Sequence, residues 1–187
     1  MSIGAVFLDR DDTILKDTGY LHEPAKVTLL PHAARGLAAL AKAGWPLIVV
    51  TNQSGIARGM YGEKEYLAVM KRMGELLAEH GVSILGSYFC PHHPDFTGAC
   101  YCRKPAAKLF RDASREHGII LSSSWYIGDR WRDVAPAGTL GGRGVLIAKD
   151  ESSEDARQAI AAGMHVAPNL GAAAKLIIKG AVKAGRR

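Results

Sequence analysis

Short apolar runs alternate along this chain with longer amphipathic or alanine-rich stretches. Ala5 to Leu8, Pro46 to Val50, Ile84 to Phe89, Ser124 to Ile127, Gly144 to Ala148 and Met164 to Ala167 read as strands. Near-continuous apolar character is what strands of a parallel sheet show when both faces are covered. Between them, Ala33 to Ala43 is rich in alanine and leucine and is followed by Gly44, a helix with a glycine stop. Glu63 to Glu79 is the clearest amphipathic helix, with Leu67, Met70, Met73/Gly74 and Leu77 at helical spacing. Its methionines read as core filler. Ala106 to His117, Asp133 to Leu140, Glu154 to Ala162 and Leu170 to Lys179 complete the set of predicted helices.

Strands alternating with helices predict an α/β fold, a Rossmann-like doubly wound parallel sheet. The 187 residues suit one domain, 1–187, without a large cap. The loop from Ile14 to Pro31 is long for a strand-to-helix connection, which marks it as a carrier of function.

Composition changes this picture little. The net charge of +6 is mild, and part of it sits in the C-terminal cluster Lys175, Lys179, Lys183, Arg186 and Arg187. That tail reads as a solvated helix end; no aromatic residues are interleaved with it as in nucleic-acid-binding arms. No apolar run approaches the roughly 20 residues that span a bilayer, and the N-terminus lacks a signal-peptide pattern. Three cysteines are an odd count for a disulfide framework, and all fall within 90–102. A cytoplasmic protein acting as a monomer, with neither membrane nor nucleic acid as partner, is the expectation.

The strand ends carry the chemistry. The opening strand runs into Asp9-Arg10-Asp11-Asp12, and two carboxylates so close repel unless a cation stands between them. Alone, this stretch reads equally well as a solvated acidic turn. In a parallel sheet, however, the carboxyl ends open on one edge. That edge collects Asp9 and Asp11, Thr51 and Asn52, and Asp129 and Asp133. Lys104 lies in Arg103-Lys104-Pro105, with the proline suited to a helix start. Carboxylates, a hydroxyl and a lysine are what phosphoryl transfer needs: a nucleophile, a metal site and groups for the phosphate oxygens.

A second cluster is Cys90, His92, Cys100 and Cys102. Three thiolates and an imidazole can close a tetrahedral zinc site, with His93 the competing nitrogen ligand. Free thiols or a cysteine nucleophile are the alternatives. Loop 90–102 has little apolar content, so a structural Zn²⁺ would order it where a core cannot, and it leads directly into Arg103 and Lys104.

Asp9-Arg10-Asp11-x-Thr13, Thr51-Asn52-Gln53, Lys104-Pro105 and Gly128-Asp129-x-x-x-Asp133 together resemble the four motifs of the haloacid dehalogenase-like phosphohydrolases. The resemblance implies that Asp9 is the nucleophile and Asp11 the general acid and base. It implies Mg²⁺ held by Asp9, the backbone carbonyl of Asp11 and Asp129, with Thr51 and Lys104 on the phosphoryl oxygens and Asp133 in support. The zinc loop and the stretches Asp17-x-Gly19-Tyr20 and Thr51 to Gly59 resemble the heptose-1,7-bisphosphate 7-phosphatases, relatives of the histidinol-phosphatase domains. Asp17, Thr18, Gly19, Tyr20, Asn52, Gln53, Ser54, Arg58, Arg103 and Arg130 would then touch a sugar phosphate, Arg103 meeting its second phosphate. The chain departs from that pattern in Asp12, where glycine is usual, in a shorter zinc loop, and in Arg130, where lysine is common. The implied activity is removal of the 7-phosphate of D-glycero-D-manno-heptose 1,7-bisphosphate. Rival readings are a histidinol-phosphate phosphatase, a nucleic-acid 3′-phosphatase and a non-catalytic phosphosugar-binding protein.

Overall fold

The computed structural model describes residues 3–184; Arg186 and Arg187 of the basic tail lie outside them. Six strands, β1 (Val6–Leu8), β2 (Leu47–Asn52), β3 (Gly86–Cys90), β4 (Trp125–Gly128), β5 (Arg143–Ile147) and β6 (His165–Ala167), form one sheet. All neighbours are parallel, in the order β3-β2-β1-β4-β5-β6. The helices are α1 (Ala33–Lys42), α2 (Ser54–Ala57), α3 (Glu63–Ala78), α4 (Pro94–Thr97), α5 (Lys108–His117), α6 (Trp131–Val134), α7 (Pro136–Leu140), α8 (Glu154–Ala161) and α9 (Leu170–Ala184). The chain moves outward from β1 through β2 to β3, then returns to the other side of β1 for β4. β1 is therefore the point where strand order reverses, and a crevice opens beyond its carboxyl end.

Alternation along the strands divides the core into two layers. Val6, Leu8, Leu47 and Val49 pack with Leu37 and Leu40 of α1, Val69 and Met73 of α3, and Ala173 and Ile177 of α9. Ala5, Phe7, Ile48 and Val50 face the opposite layer with Leu109 and Phe110 of α5 and Ala137 of α7. Phe7 stacks on Tyr126 at 5.2 Å and meets Phe110 edge-on at 5.3 Å. This double burial explains why the strands read as unbroken apolar runs. Among the described residues, the inter-strand connections hold these helices and the 90–102 loop, with no inserted cap domain, and no helix is long and apolar enough to cross a membrane.

Four local expectations change. The inward row of α3 is Tyr66, Val69, Met73 and Leu77, whereas Leu67 is 57% exposed. Met73 and Leu77 face the core as expected, while Tyr66 and Val69, each one residue back and so about 100° around the axis, take the inward places of Leu67 and Met70. The stretch 133–140 is two short helices, because Pro136 has no N–H to continue the first and opens the second. α5 begins at Lys108, so Pro105 lies in the turn before it and not at the helix start; the Lys104–Pro105 peptide is cis. β2 runs two residues past the predicted Val50, to Thr51 and Asn52, and Ser54 starts a helical turn.

Met73→Ala should cost about 2–5 kcal/mol of folding stability, and Leu67→Ala less than about 0.5 kcal/mol. Urea denaturation of the two variants measures the contrast; comparable losses would contradict the observed inward row of α3.

Candidate active site

The edge beyond β1, β2 and β4 is a cleft of about 270 Å³. Asp9 follows β1, Thr51 and Asn52 end β2, and Asp129 follows β4. Beneath the cleft lies Lys104, buried, with its Nζ 2.6 Å from Asp9 Oδ1, 2.8 Å from Asp133 Oδ1 and 2.6 Å from the Val50 carbonyl oxygen. Burial works against the ammonium, but the charges of Asp133 and Asp9 outweigh it and hold the Lys104 pKa above the ordinary lysine value. Gly128 makes this approach possible: a Cβ there would stand 2.3 Å from Asp133 Cβ. The Asp133 carboxylate also accepts the Arg130 backbone N–H at 3.0 Å, closing the first turn of α6.

Lys104 is held by its backbone. Asn52 Oδ1 accepts the Lys104 N–H at 2.9 Å, and Asn52 Nδ2 donates to the Lys104 carbonyl at 3.2 Å. The Asn52 amide is thereby committed to the protein, although the residue borders the cleft.

Asp11 turns its carboxylate toward Arg10, which donates from Nε and Nη2 at 2.9 and 3.0 Å, and toward Gln53, which donates from Nε2 at 2.9 Å. Burial raises the Asp11 pKa, the Arg10 charge opposes this, and the Asp9 charge adds to it; the net shift is upward. Arg10 itself is buried, with its guanidinium 5.5 Å from the centre of the Tyr66 ring. Asp12 has φ +51°, the left-handed region that glycine favours and aspartate tolerates, and its Oδ1 accepts the Asp17 N–H at 3.1 Å. The substitution of aspartate at this position is thus absorbed by the turn.

Asp17, Gly19, Tyr20, Gln53, Ser54 and Arg130 also line the cleft, and Thr18 stands exposed on the same loop. Arg58 and Arg103 do not line it. Arg58 Nη2 meets His93 Nε2 at 3.2 Å and its guanidinium lies 4.6 Å from the centre of the Phe96 ring; Arg103 Nη1 donates to the His92 carbonyl at 3.1 Å. Both bind the 90–102 loop to the rim. Tyr61 and Arg132 line the cleft and escaped the sequence reading. Neither belongs to a run or motif, and their positions depend on how α2 and α6 leave the sheet.

Two clusters have the donor chemistry for metals. Carboxylate oxygens of Asp9, Asp129 and Asp133 lie within 4.8 Å of one another. Burial, then the charges of Asp9 and Asp133, push the Asp129 pKa up to about 7, as expected of a carboxylate set that a cation would relieve. Cys90, His92, Cys100 and Cys102 form the other cluster. Their sulfurs stand 3.1, 3.6 and 3.7 Å apart, far from a disulfide bond and near the roughly 3.8 Å edge of a tetrahedron with Zn–S bonds of about 2.3 Å. His92 Nδ1 is 3.3 Å from Cys102 Sγ, whereas both ring nitrogens of His93 meet Arg58 and the Asp95 N–H.

Comparison with known proteins agrees with this geometry. Residues 101–173 match the HAD-hydrolase-like family model. The D-glycero-beta-D-manno-heptose-1,7-bisphosphate 7-phosphatase of Photorhabdus laumondii is 44% identical over 140 residues, covering 72% of this chain and 74% of its own length. The chain belongs to the haloacid dehalogenase-like phosphatases. Within this family, the 7-phosphatase of the same name from Escherichia coli K12 is 38% identical over 141 residues, covering 73% of this chain and 74% of its own. The crystal structure of D,D-heptose 1,7-bisphosphate phosphatase from B. bronchiseptica, complexed with magnesium and phosphate, superposes with a TM-score of 0.81 at 29% identity, covering 95% of this chain and 99% of the other.

Asn52→Ala would leave the buried Lys104 backbone N–H without its acceptor. A loss of about 1–3 kcal/mol in folding stability is expected from denaturant unfolding. A variant as stable as the unmodified protein would show that Asn52 does not clamp this loop.

Proposed function

We propose that this phosphatase removes the 7-phosphate of D-glycero-D-manno-heptose 1,7-bisphosphate. The observation that carries the phosphoryl-transfer reading is the Lys104 ammonium shared between Asp9 and Asp133 at the sheet edge, beside Asp11 and Thr51. The choice of sugar is supported by relatives 38–44% identical that bear this activity in their names.

In this reading Asp9, paired with the Lys104 ammonium at 2.6 Å, attacks phosphorus and forms an aspartyl-phosphate while the bond to the sugar oxygen breaks. Asp11, raised in pKa, gives its proton to that leaving oxygen. It then takes a proton from the water that attacks the aspartyl-phosphate, which releases inorganic phosphate and restores Asp9. Thr51 donates to a phosphoryl oxygen, while Lys104, its three hydrogens taken by Asp9, Asp133 and the Val50 carbonyl, adds positive charge from beneath and is kept in place by Asp133. Asp9, Asp129 and the Asp11 carbonyl would hold Mg²⁺, whose charge offsets that of the clustered carboxylates and of the phosphoryl group. Asp17, Gly19, Tyr20, Ser54 and Arg130 face the sugar. Cys90, His92, Cys100 and Cys102 would hold Zn²⁺, which orders the loop that Arg58 and Arg103 fasten to the rim.

Phosphate release from α- and β-heptose 1,7-bisphosphate, beside histidinol phosphate, tests the substrate. Heptose bisphosphate should have the higher kcat/KM, and a preference for histidinol phosphate would overturn the choice. Asp9→Asn should abolish turnover while unfolding at a temperature close to that of the parent. Persistent turnover would sink the nucleophile.

Cys100→Ser should lower zinc content, measured by elemental analysis, and make 90–102 susceptible to protease. Stoichiometric zinc retained in that variant would remove Cys100 from the ligand set.

A further inference from the structure

We infer that Tyr61 is a positioning residue for phosphoryl transfer, acting through the side-chain amide of Gln53. The inference rests on the phosphatase reading above. Gln53 is buried and engages three groups at once. Its Nε2 donates to Asp11 Oδ2 and to Thr51 Oγ1, each at 2.9 Å, and its Oε1 accepts from the Tyr61 hydroxyl at 2.6 Å. The polarity of this chain follows from the partners. Asp11 Oδ2 accepts from Arg10 Nη2 at 3.0 Å, and any proton Asp11 carries must point to the leaving oxygen, so toward Gln53 it accepts and the amide nitrogen faces it. The amide oxygen then faces Tyr61, and the phenol donates.

The consequence falls on Thr51. Its oxygen receives one amide hydrogen, so its own proton is left for another acceptor, which is a phosphoryl oxygen in this reading. Were the amide turned over, Oε1 would take that proton and also face the Asp11 carboxylate. In the observed orientation the Tyr61 hydroxyl is the donor that Oε1 needs; without it that buried carbonyl would stand unpaired and rotation toward Thr51 would be favoured. One phenol thus sets the hydrogen-bond direction at both the general acid and the phosphate-binding hydroxyl.

The ring is seated for this task. It stacks on His22 with centroids 5.5 Å apart and planes 9° from parallel. Its edge lies against Gly55, where a Cβ would come within 2.2 Å of Tyr61 Cε1. Glycine at that position lets the phenol reach Gln53.

The test is steady-state kinetics of the full chain with Mg²⁺, on heptose 1,7-bisphosphate and on an aryl phosphate. Tyr61→Phe keeps the ring and removes the donor. It should lower kcat on the order of tenfold on both substrates and leave KM within about twofold, as losing an interaction felt in the transition state does. In a Gln53→Leu background the same change should cost less than about twofold, since the group through which Tyr61 acts is gone. Gly55→Ala, which displaces the ring but keeps its hydroxyl, should lower kcat in the same sense. Unchanged kcat in both Tyr61→Phe and Gly55→Ala, a rise in KM alone, or a full effect of Tyr61→Phe without Gln53 would each overturn the inference. Turnover of neither substrate by the unmodified enzyme would instead overturn the phosphatase reading, and the inference with it.

Discussion

The Lys104 ammonium lies beneath the cleft with Asp9, Asp133 and the Val50 carbonyl as its three partners. An ammonium has three hydrogens to donate, and here each has an oxygen. A buried charge left unpaired costs several kcal/mol, so this arrangement constrains everything around it. Val50 lies in β2, Asp9 follows β1, Asp133 follows β4, and Lys104 follows β3. The four strand ends meet at one nitrogen. Without that charge, Asp9 and Asp133 would confront each other across a low-dielectric site.

Two further features depend on that point. The acidic edge above it combines Asp9 and Asp129 and is electrostatically incomplete, which is why a divalent cation suits it. The loop that delivers Lys104 has few apolar residues to fold upon. Asn52 grips its backbone from β2, while Cys90, buried at the end of β3, ties the sulfur cluster to the core. Arg58 and Arg103 turn inward to this loop instead of outward to the cleft. The cysteine–histidine cluster and the cleft are therefore neighbours joined by two residues, Arg103 and Lys104.

Much of this was legible along the chain. All six strands lie close to where they are predicted, and the central ones, β1, β2 and β4, read most plainly because a strand covered on both faces has no polar side to obscure it. Asp9, Thr51 and Asp129 were legible because each follows or ends such a run. Less legible was anything set by rotation or by partner choice. The row of α3 that faces the core begins with Tyr66, which packs against Phe89 and beneath Arg10, and not with Leu67. Spacing alone admits both rows. Asn52 and Arg58 have the right chemistry for a ligand, yet both are consumed by protein partners that lie tens of residues away.

The sequence by itself determined the alternation of strand and helix, the collection of polar groups at carboxyl ends and the grouping of Cys90, His92, Cys100 and Cys102. These follow from local periodicity and from ligand chemistry, which are written in consecutive residues. Only the tertiary structure decided which groups share a proton or a charge: Lys104 between two aspartates, Asp133 beside Asp9 and Asp129, and Tyr61 behind Gln53. Those pairings arise where separate strand ends converge. The physical reason is that a hydrogen bond depends on distance and direction in space, and sequence separation carries neither.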